Sequence, residues 1–194
     1  MSEPTPLLAP ITPPIIAPRL WTGGRLVSDP WSYISDDEPL PIDGSLIVSL
    51  LRWRSNKVAL ISTKQSLGVR VLPTETIEMG SDTIHQCELV ALVFPKFTDG
   101  RAYSAARRLR EAGFKGEIRA IGDVLLDQLP LMLRAGFTSF EITNFATVEF
   151  LEARNVPAIS RVYQAGSEAS AHTWESRRME IPSKPAVVTG KRAS

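Results

Sequence analysis

Apolar runs and helical patterns alternate along residues 44–154, and this alternation constrains the fold more than any other feature of the sequence. The apolar runs predict strands at residues 44–53, 68–73, 88–94, 117–122 and 137–143. Helices are predicted at 101–114, 123–136 and 146–154, and more weakly at 75–86, while 54–67 has room for a helical turn or two. Such alternation is typical of parallel strands joined by right-handed crossovers. We therefore expect an α/β fold with an open, mostly parallel sheet of about five strands, or a partial β/α barrel.

The chain of 194 residues is long enough for a single domain with its own core. Residues 1–19 contain six of the fifteen prolines and are expected to form an extended or flexible arm. Residues 21–41 are irregular and rich in turn signals. We place the α/β domain at residues 20–165 and a flexible tail at 166–194, where apolar residues become sparse.

The composition argues against several classes of protein. A formal net charge of +1 gives no field that favours nucleic acid as a partner. The single cysteine, Cys87, and two distant histidines do not supply a disulfide, an iron–sulfur cluster or a zinc site of the usual kind. No apolar run approaches the roughly 20 residues that span a bilayer, and the start of the chain lacks a signal-peptide pattern. We expect a cytoplasmic protein without a membrane partner.

Polar residues follow three of the predicted strands, at the edge where open parallel sheets bind ligands. They are Lys96, Thr98, Asp99 and Arg101 after the third strand, Gly122 and Asp123 after the fourth, and Thr143 and Asn144 after the fifth. A helix N-terminus and basic side chains at one edge favour an oxyanion or a phosphate. The residues assigned to anion binding are Lys96, Thr98, Arg101, Arg119 and Asp123, with Asp99 as the candidate catalytic base.

Each of these residues also has a simpler interpretation. Asp99 and Asp123 precede predicted helices, where a carboxylate caps free backbone N–H groups. Asp123 and Asp127 lie four residues apart, a spacing that allows a Mg²⁺ site, although a solvated acidic face or a pair between Asp127 and Arg119 is favoured, and we assign no metal. A basic surface for docking is predicted from Arg107, Arg108 and Arg110, as an alternative to a solvated helix face.

The central stretch FPKFTDGRAYSAARRLREAGFKGEIRAIGDVLLDQL, which begins at Phe94, resembles the bacterial DUF934 family. GVRVLP before it, AGFTSFEI after it and RVYQA near residue 163 fit the same pattern, so that the resemblance covers residues 44–165. The resemblance implies a link to sulfur assimilation, because genes of this family typically stand beside those for assimilatory sulfite reductase and for adenylyl- or phosphoadenylyl-sulfate reductase.

Two functions of different classes follow from these observations. The first is an accessory protein of sulfate or sulfite reduction that acts with sulfite reductase, or a related enzyme, in assembly, electron delivery or substrate handover. The second is a small enzyme or oxidoreductase subunit that binds an oxyanion or a nucleotide phosphate at the strand edge. The six-electron reduction of sulfite needs siroheme, iron–sulfur or flavin chemistry. Because the sequence has no cluster ligands and no GxGxxG motif, we expect such a cofactor only in a partner and favour the accessory function.

Overall fold

A computed structural model of the protein describes residues 15–78 and 82–153. Within these residues the chain forms one sheet of eight strands and four α-helices. The strands are β1 (Ile15–Thr22), β2 (Arg25–Val27), β3 (Trp31–Tyr33), β4 (Ser45–Ser49), β5 (Ser66–Val71), β6 (Leu89–Phe94), β7 (Glu117–Gly122) and β8 (Ser139–Asn144). The helices are α1 (Leu50–Ser62), α2 (Arg101–Glu111), α3 (Leu129–Ala135) and α4 (Phe145–Glu152).

The sheet is mixed and has the strand order β2-β1-β8-β7-β6-β5-β4-β3. Strands β3 to β8 are parallel and follow one another in chain order, whereas β1 is antiparallel to both β2 and β8. The predicted α/β class is confirmed, but the predicted number of about five strands is wrong. The additional strands β1, β2 and β3 lie in the region that was interpreted as arm and turns, and two of them have only three residues each.

The sheet is curled rather than flat. Tyr33 on β3 donates a hydrogen bond of 2.8 Å to Glu141 on β8, although five interstrand steps separate these strands in the sheet order. In a flat sheet five steps of about 4.8 Å would place the strands roughly 24 Å apart. The terminal strands β2 and β3 are also consecutive in the chain and joined by residues 28–30 alone. The sheet therefore bends back on itself, which is closer to the partial β/α-barrel alternative than to a flat open sheet.

The two faces of the curled sheet bury different sets of residues. The larger core lies on the convex face, where residues such as Val48, Val90 and Phe140 pack with the buried sides of the helices. A small second cluster on the concave face is formed by Ile47, Leu89, Ala91 and Ile121. Because side chains alternate along a strand, β4, β6 and β7 contribute to both clusters.

The first predicted strand, 44–53, is divided between a strand and a helix. The hydroxyl of Ser49 accepts a hydrogen bond of 3.0 Å from the Arg52 amide and caps α1. A cap of this kind satisfies a backbone N–H group that the first helical turn leaves free. The helix then buries Leu50, Trp53 and Leu60, so that the apolar run continues across the change of structure.

The weakly predicted helix at 75–86 is wrong. Residues 75–78 have no regular structure, and a short 3-10 turn covers Ile84–Gln86. Arg54 on α1 donates 2.7 Å hydrogen bonds to both carboxylate oxygens of Asp82 and to the carbonyl oxygen of Thr76. These bonds attach the segment to α1 in an irregular conformation.

The predicted helix at 123–136 is shorter than expected. A 3-10 turn at Leu126–Gln128 precedes α3, which contains Pro130 in its first turn. Proline is tolerated there because the first turn of a helix leaves backbone N–H groups unpaired in any case. Pro130 therefore starts the helix and does not kink it.

The proline-rich arm overlaps the sheet. Residues 15–19 of the predicted arm belong to β1, and Pro18 lies where the pairing with β8 is irregular, between Ile15 and Arg19. Proline cannot donate a ladder hydrogen bond, and such irregular positions do not require one. Residues 1–14 and the predicted tail at 166–194 lie outside the described residues. Within the described ranges, no helix has the length and apolar character needed to cross a membrane.

Candidate functional site

The predicted site lies at the carboxyl ends of β6 and β7, which are adjacent and parallel with Phe94 opposite Gly122. We call residues 95–100, between β6 and α2, the rim loop. Because the two strands are neighbours, the rim loop meets the residues that follow β7, as expected from the sequence. The contacts between them determine what this edge can do.

The peptide group of Phe97 is held on both sides. Its amide donates a hydrogen bond of 2.9 Å to Oδ2 of Asp123, and its carbonyl oxygen accepts one of 2.6 Å from Nε2 of Gln128. The amide of Asp123 in turn donates to the carbonyl oxygen of Phe94 at 2.9 Å. We call this arrangement the Phe97 brace. It makes Asp123 a support for the rim loop, with its carboxylate bound to a backbone donor there and not to the start of the following helix, as the capping interpretation predicted.

Gly122 allows the two strand ends to come this close. Its φ of +95° lies in the left-handed region that favours glycine. A Cβ atom at this position would lie 2.4 Å from the carbonyl oxygen of Phe94. A larger residue would therefore push the β7 end away from the rim loop and disturb the brace.

Asp99 and Arg101 satisfy each other. Oδ1 of Asp99 accepts hydrogen bonds from the Arg101 amide at 3.1 Å and from Nε at 3.0 Å, while Oδ2 accepts from Nη2 at 2.6 Å. The hydrogen bonds from the Arg101 side chain, followed by that from its amide, hold the pKa of Asp99 below its usual value. A general base works best with a pKa near the working pH. This geometry suits a cap and a local ion pair better than the predicted catalytic base.

Lys96, Phe97 and Thr98 point outward from the rim loop. All three are exposed, and the Phe97 side chain is 46% exposed despite its apolar ring. Within the described residues, neither the Lys96 ammonium nor the Thr98 hydroxyl has a hydrogen-bond or ion-pair partner. The structure thus brings together only part of the predicted anion site: the rim loop contacts Asp123, whereas Lys96 and Thr98 are exposed and contact none of the other predicted residues through their side chains.

Asn144, the last predicted polar residue of this edge, serves α4. Its Oδ1 accepts hydrogen bonds of 3.0 Å from the Thr147 amide and 3.2 Å from the Thr147 hydroxyl. Asn144 is therefore the N-cap of α4. Its neighbour Thr143 is half-buried at the end of β8.

Arg119 lies inside the curl of the sheet and away from the rim loop. Its side chain is fully buried, with Nη1 2.7 Å from Oδ2 of Asp29 and Nε and Nη2 each 2.9 Å from Oε1 of Glu117. The predicted pair with Asp127 is therefore wrong, because Arg119 uses its charge on the concave face. Its assignment to the rim anion site has no geometric support for the same reason.

Further polar residues surround this buried arginine. The Ser139 hydroxyl donates to Oε1 of Glu117, and the Tyr33 hydroxyl bonds Glu141. Burial of the hydroxyl and, secondly, the charge of Glu141 raise the pKa of Tyr33. We call Asp29, Tyr33, Glu117, Arg119, Ser139 and Glu141 the polar interior. Polar residues at alternate positions of EIRAIG and SFEIT were the sequence signal for this cluster.

The three arginines predicted to form a docking surface on α2 have different environments. Arg107 pairs with Glu111 at 2.9 Å. Arg110 is half-buried, donates to the carbonyl oxygens of residues 114, 116 and 136, and lies over the Phe114 ring. Arg108 is exposed and has no hydrogen-bond or ion-pair partner in the part of the chain that the structure describes. Of the three, Arg108 is therefore the one without a partner among the described residues.

The described residues give no support for metal or thiol chemistry. Among them, no group of three or more His, Cys, Asp or Glu side chains is arranged to hold a metal ion. The predicted helical face of Asp123 and Asp127 does not form, since residues 123–125 are not helical. Cys87 is buried, and burial raises the pKa of its thiol to about 12, so that the thiol stays protonated near neutral pH.

Comparison with known proteins places the chain in a family. No curated protein and no solved structure matches the sequence. A sequence model of DUF934, described as a bacterial protein of unknown function, matches residues 68–174, more than half of the 194 residues. The match begins in β5 and includes the rim loop, the Phe97 brace and α2. The chain therefore belongs to the DUF934 family.

Proposed function

We propose that this protein is an accessory protein of assimilatory sulfate or sulfite reduction that uses the rim loop to contact a partner enzyme. The partner is sulfite reductase or another enzyme of sulfate assimilation, which would carry any siroheme or iron–sulfur group. The contact would serve assembly, electron delivery or substrate handover. The metabolic setting derives from the resemblance described above, and a cytoplasmic location accords with it.

The Phe97 brace is the observation that carries the proposal. The backbone of Phe97 is held by Asp123 and Gln128, while the residue remains 46% exposed between an exposed lysine and an exposed threonine. An exposed aromatic ring is a frequent anchor in protein interfaces. A loop that is already ordered also loses less conformational freedom on binding. The rim loop therefore has the properties of a contact site.

The alternative function, an enzyme or oxidoreductase subunit that binds an oxyanion at the strand edge, has weaker geometric support. It requires Asp99 as a base and Arg101 as an anion ligand, and these two side chains bind each other. It also requires Asp123 and Arg119 as anion ligands. The Asp123 carboxylate already accepts from the Phe97 amide, and the Arg119 side chain already binds Asp29 in the polar interior. Turnover by the isolated protein that is lost in both Lys96→Ala and Asp99→Asn would favour this alternative.

Direct binding between the purified protein and sulfite reductase from the same organism tests the proposal. We expect Phe97→Ala to weaken binding at least tenfold, about 1.4 kcal/mol, because the anchor ring is removed. Phe150→Ala is the matched control, since Phe150 is 51% exposed on α4. We expect this control to change the affinity less than twofold.

A growth experiment tests the metabolic setting separately. A strain without the gene should fail to grow on sulfate as sole sulfur source and should recover with the wild-type gene, but poorly with the Phe97→Ala gene. Normal growth of the deletion strain on sulfate would remove the link to sulfur assimilation. Growth loss with equal rescue by both genes would leave the link and reject the rim loop as the contact site.

A further inference from the structure

A crevice of about 390 Å³ lies between α2 and the segment that follows β5. Its walls are the exposed flank of α2 on one side and Leu72, Pro73 and Thr76 on the other. Leu92 and Val93, near the carboxyl end of β6, close its inner end. The crevice thus opens at the carboxyl ends of β5 and β6, where parallel α/β sheets bind ligands.

One flank of α2 places Arg101, Ser104 and Arg108 along the crevice. Residues three, four and seven apart lie on the same side of a helix, and a rise of 1.5 Å per residue puts the two arginines about 10 Å apart. Arg101 is neutralised by Asp99 at one end. Arg108 is uncompensated at the other end, and its charge makes that end attractive to an anion.

Most of the remaining surface of the crevice is apolar. Ala102, Ala105 and Leu92 lie between the polar groups, with Val71 and Pro73 opposite. The volume lies in the range of about 300–1,000 Å³ that is usual for small-molecule sites. The crevice volume corresponds to on the order of ten water molecules, at about 30 Å³ each. A bare tetrahedral oxyanion would leave most of this space unfilled.

Glu75 is the one carboxylate among the described residues that line the crevice. Its Oε2 accepts a hydrogen bond of 2.7 Å from the Leu72 amide, within its own turn. Its charge also acts on Arg54 of α1. The carboxylate is therefore engaged in holding the wall of the crevice.

We propose that this crevice binds a small organic anion, a phosphate or sulfate ester, with its acid group on Arg108 and its apolar body between Ala105 and the exposed side chain of Leu72. Ser104 lies between the two ends and supplies a hydroxyl to the ester. This proposal does not depend on the rim loop as a contact site, because the crevice and Phe97 use different side chains. It assigns Arg108 to a ligand, in place of its predicted role in a basic docking surface.

Calorimetric titration of the full chain tests the proposal, with phenyl phosphate and adenosine 5′-monophosphate as ester probes and inorganic phosphate and sulfate as bare anions. We expect at least one ester to bind ten times more tightly than either bare anion. We expect Arg108→Ala to weaken ester binding at least tenfold. The matched control Arg107→Ala removes the same charge one residue away, where Glu111 already compensates it, and should change binding less than twofold.

A second variant tests whether the ligand occupies the space beside Arg108. Ser104→Leu fills the space beside Arg108 at an exposed helical position, and leucine is a better helix former than serine. We expect it to abolish ester binding while the thermal unfolding temperature stays unchanged. Equal affinity for esters and inorganic phosphate, no binding of either ester at millimolar concentration, or equal losses in Arg107→Ala and Arg108→Ala would each overturn the proposal.

Discussion

One aspartate–arginine pair joins Asp99 of the rim loop to Arg101 of α2, and we call it the rim pair; a second pair, Asp29 and Arg119, lies in the polar interior. The two pairs have different surroundings. Asp99 and Arg101 are two residues apart in sequence, and the Arg101 side chain is 59% exposed. Asp29 and Arg119 are ninety residues apart, and the Arg119 side chain is fully buried. The first pair shapes a local turn, whereas the second joins the segment before β3 to β7 across the curl.

The energetic consequences of the two pairs differ for the same reason. An exposed pair gains little, because water screens both charges and the side chains lose freedom when they meet. A buried arginine has lost its hydration, so that its carboxylate partners must replace the water it gave up. The polar interior should therefore control the stability of the curled sheet, and the rim pair should control only the shape of its loop.

Arg119→Ala gives the largest expected effect. It leaves Asp29 and Glu117 without their common cation inside the curl, and removal of one partner of a buried ion pair costs about 3–5 kcal/mol. We expect about 3 kcal/mol, at the lower end, because both carboxylates keep more than a quarter of their exposure. Urea unfolding followed by circular dichroism measures this loss.

Arg107→Ala is the control for this measurement. It breaks an exposed pair on α2 and should cost about 0.5 kcal/mol or less. A loss for Arg119→Ala that is no larger than for Arg107→Ala would show that the polar interior does not hold the sheet together.

Asp123→Ala gives an intermediate effect. It leaves the Phe97 amide without its acceptor, and loss of one hydrogen-bond partner costs about 1 kcal/mol. In a domain of this size that corresponds to a fall of about 2–4 °C in the thermal unfolding temperature. Asp127→Ala removes an exposed carboxylate that accepts no hydrogen bond among the described residues and should leave this temperature unchanged within error. An equal fall in both variants would contradict the role of the brace.

The pH dependence gives the smallest effect and concerns Tyr33 in the polar interior. Its raised pKa means that the folded protein holds the phenol proton more tightly than the unfolded chain does. This stabilisation is complete below the unfolded pKa of about 10 and is lost as the pH rises through the folded pKa. We expect wild type to exceed Tyr33→Phe by at most about 1 kcal/mol at pH 8, because the tyrosine is 39% exposed.

Urea unfolding of both proteins between pH 8 and pH 11 checks this prediction. The difference between them should shrink above pH 10, since only wild type carries the Tyr33 phenol. A constant difference across this range would mean that the pKa of Tyr33 is not raised in the folded protein.

The sequence was sufficient for the elements with strong patterns. Continuous apolar runs predicted β5 to β8, and the spacing of Ala102 and Leu109 predicted α2, where both are buried. The neighbouring positions of β6 and β7 also followed from chain order, and this correctly brought Asp123 to the rim loop. The alternative prediction, that Asp123 caps the helix that follows it, is wrong, because its carboxylate accepts from the Phe97 amide of the neighbouring loop.

Long-range pairing could not be predicted from local patterns. β2 and β3 have three residues each, too few for a visible alternation, and their positions depend on the curl. The curl also decides the environment of Arg119, since its partner Asp29 is remote in sequence and only the folded sheet brings them together. Similarly, a helix pattern at 75–86 is overridden by the bonds between Arg54 and Asp82.

The shortness of β2 and β3 has a consequence for how the folded protein behaves at high concentration. These two strands end the described sheet on either side, and each presents only three residues of backbone. A second molecule that approached either border would form few main-chain hydrogen bonds, whereas long bare borders nucleate aggregates. The short outer strands β2 and β3, the first of which also carries the charge of Arg25, therefore offer a second molecule little main chain to pair with.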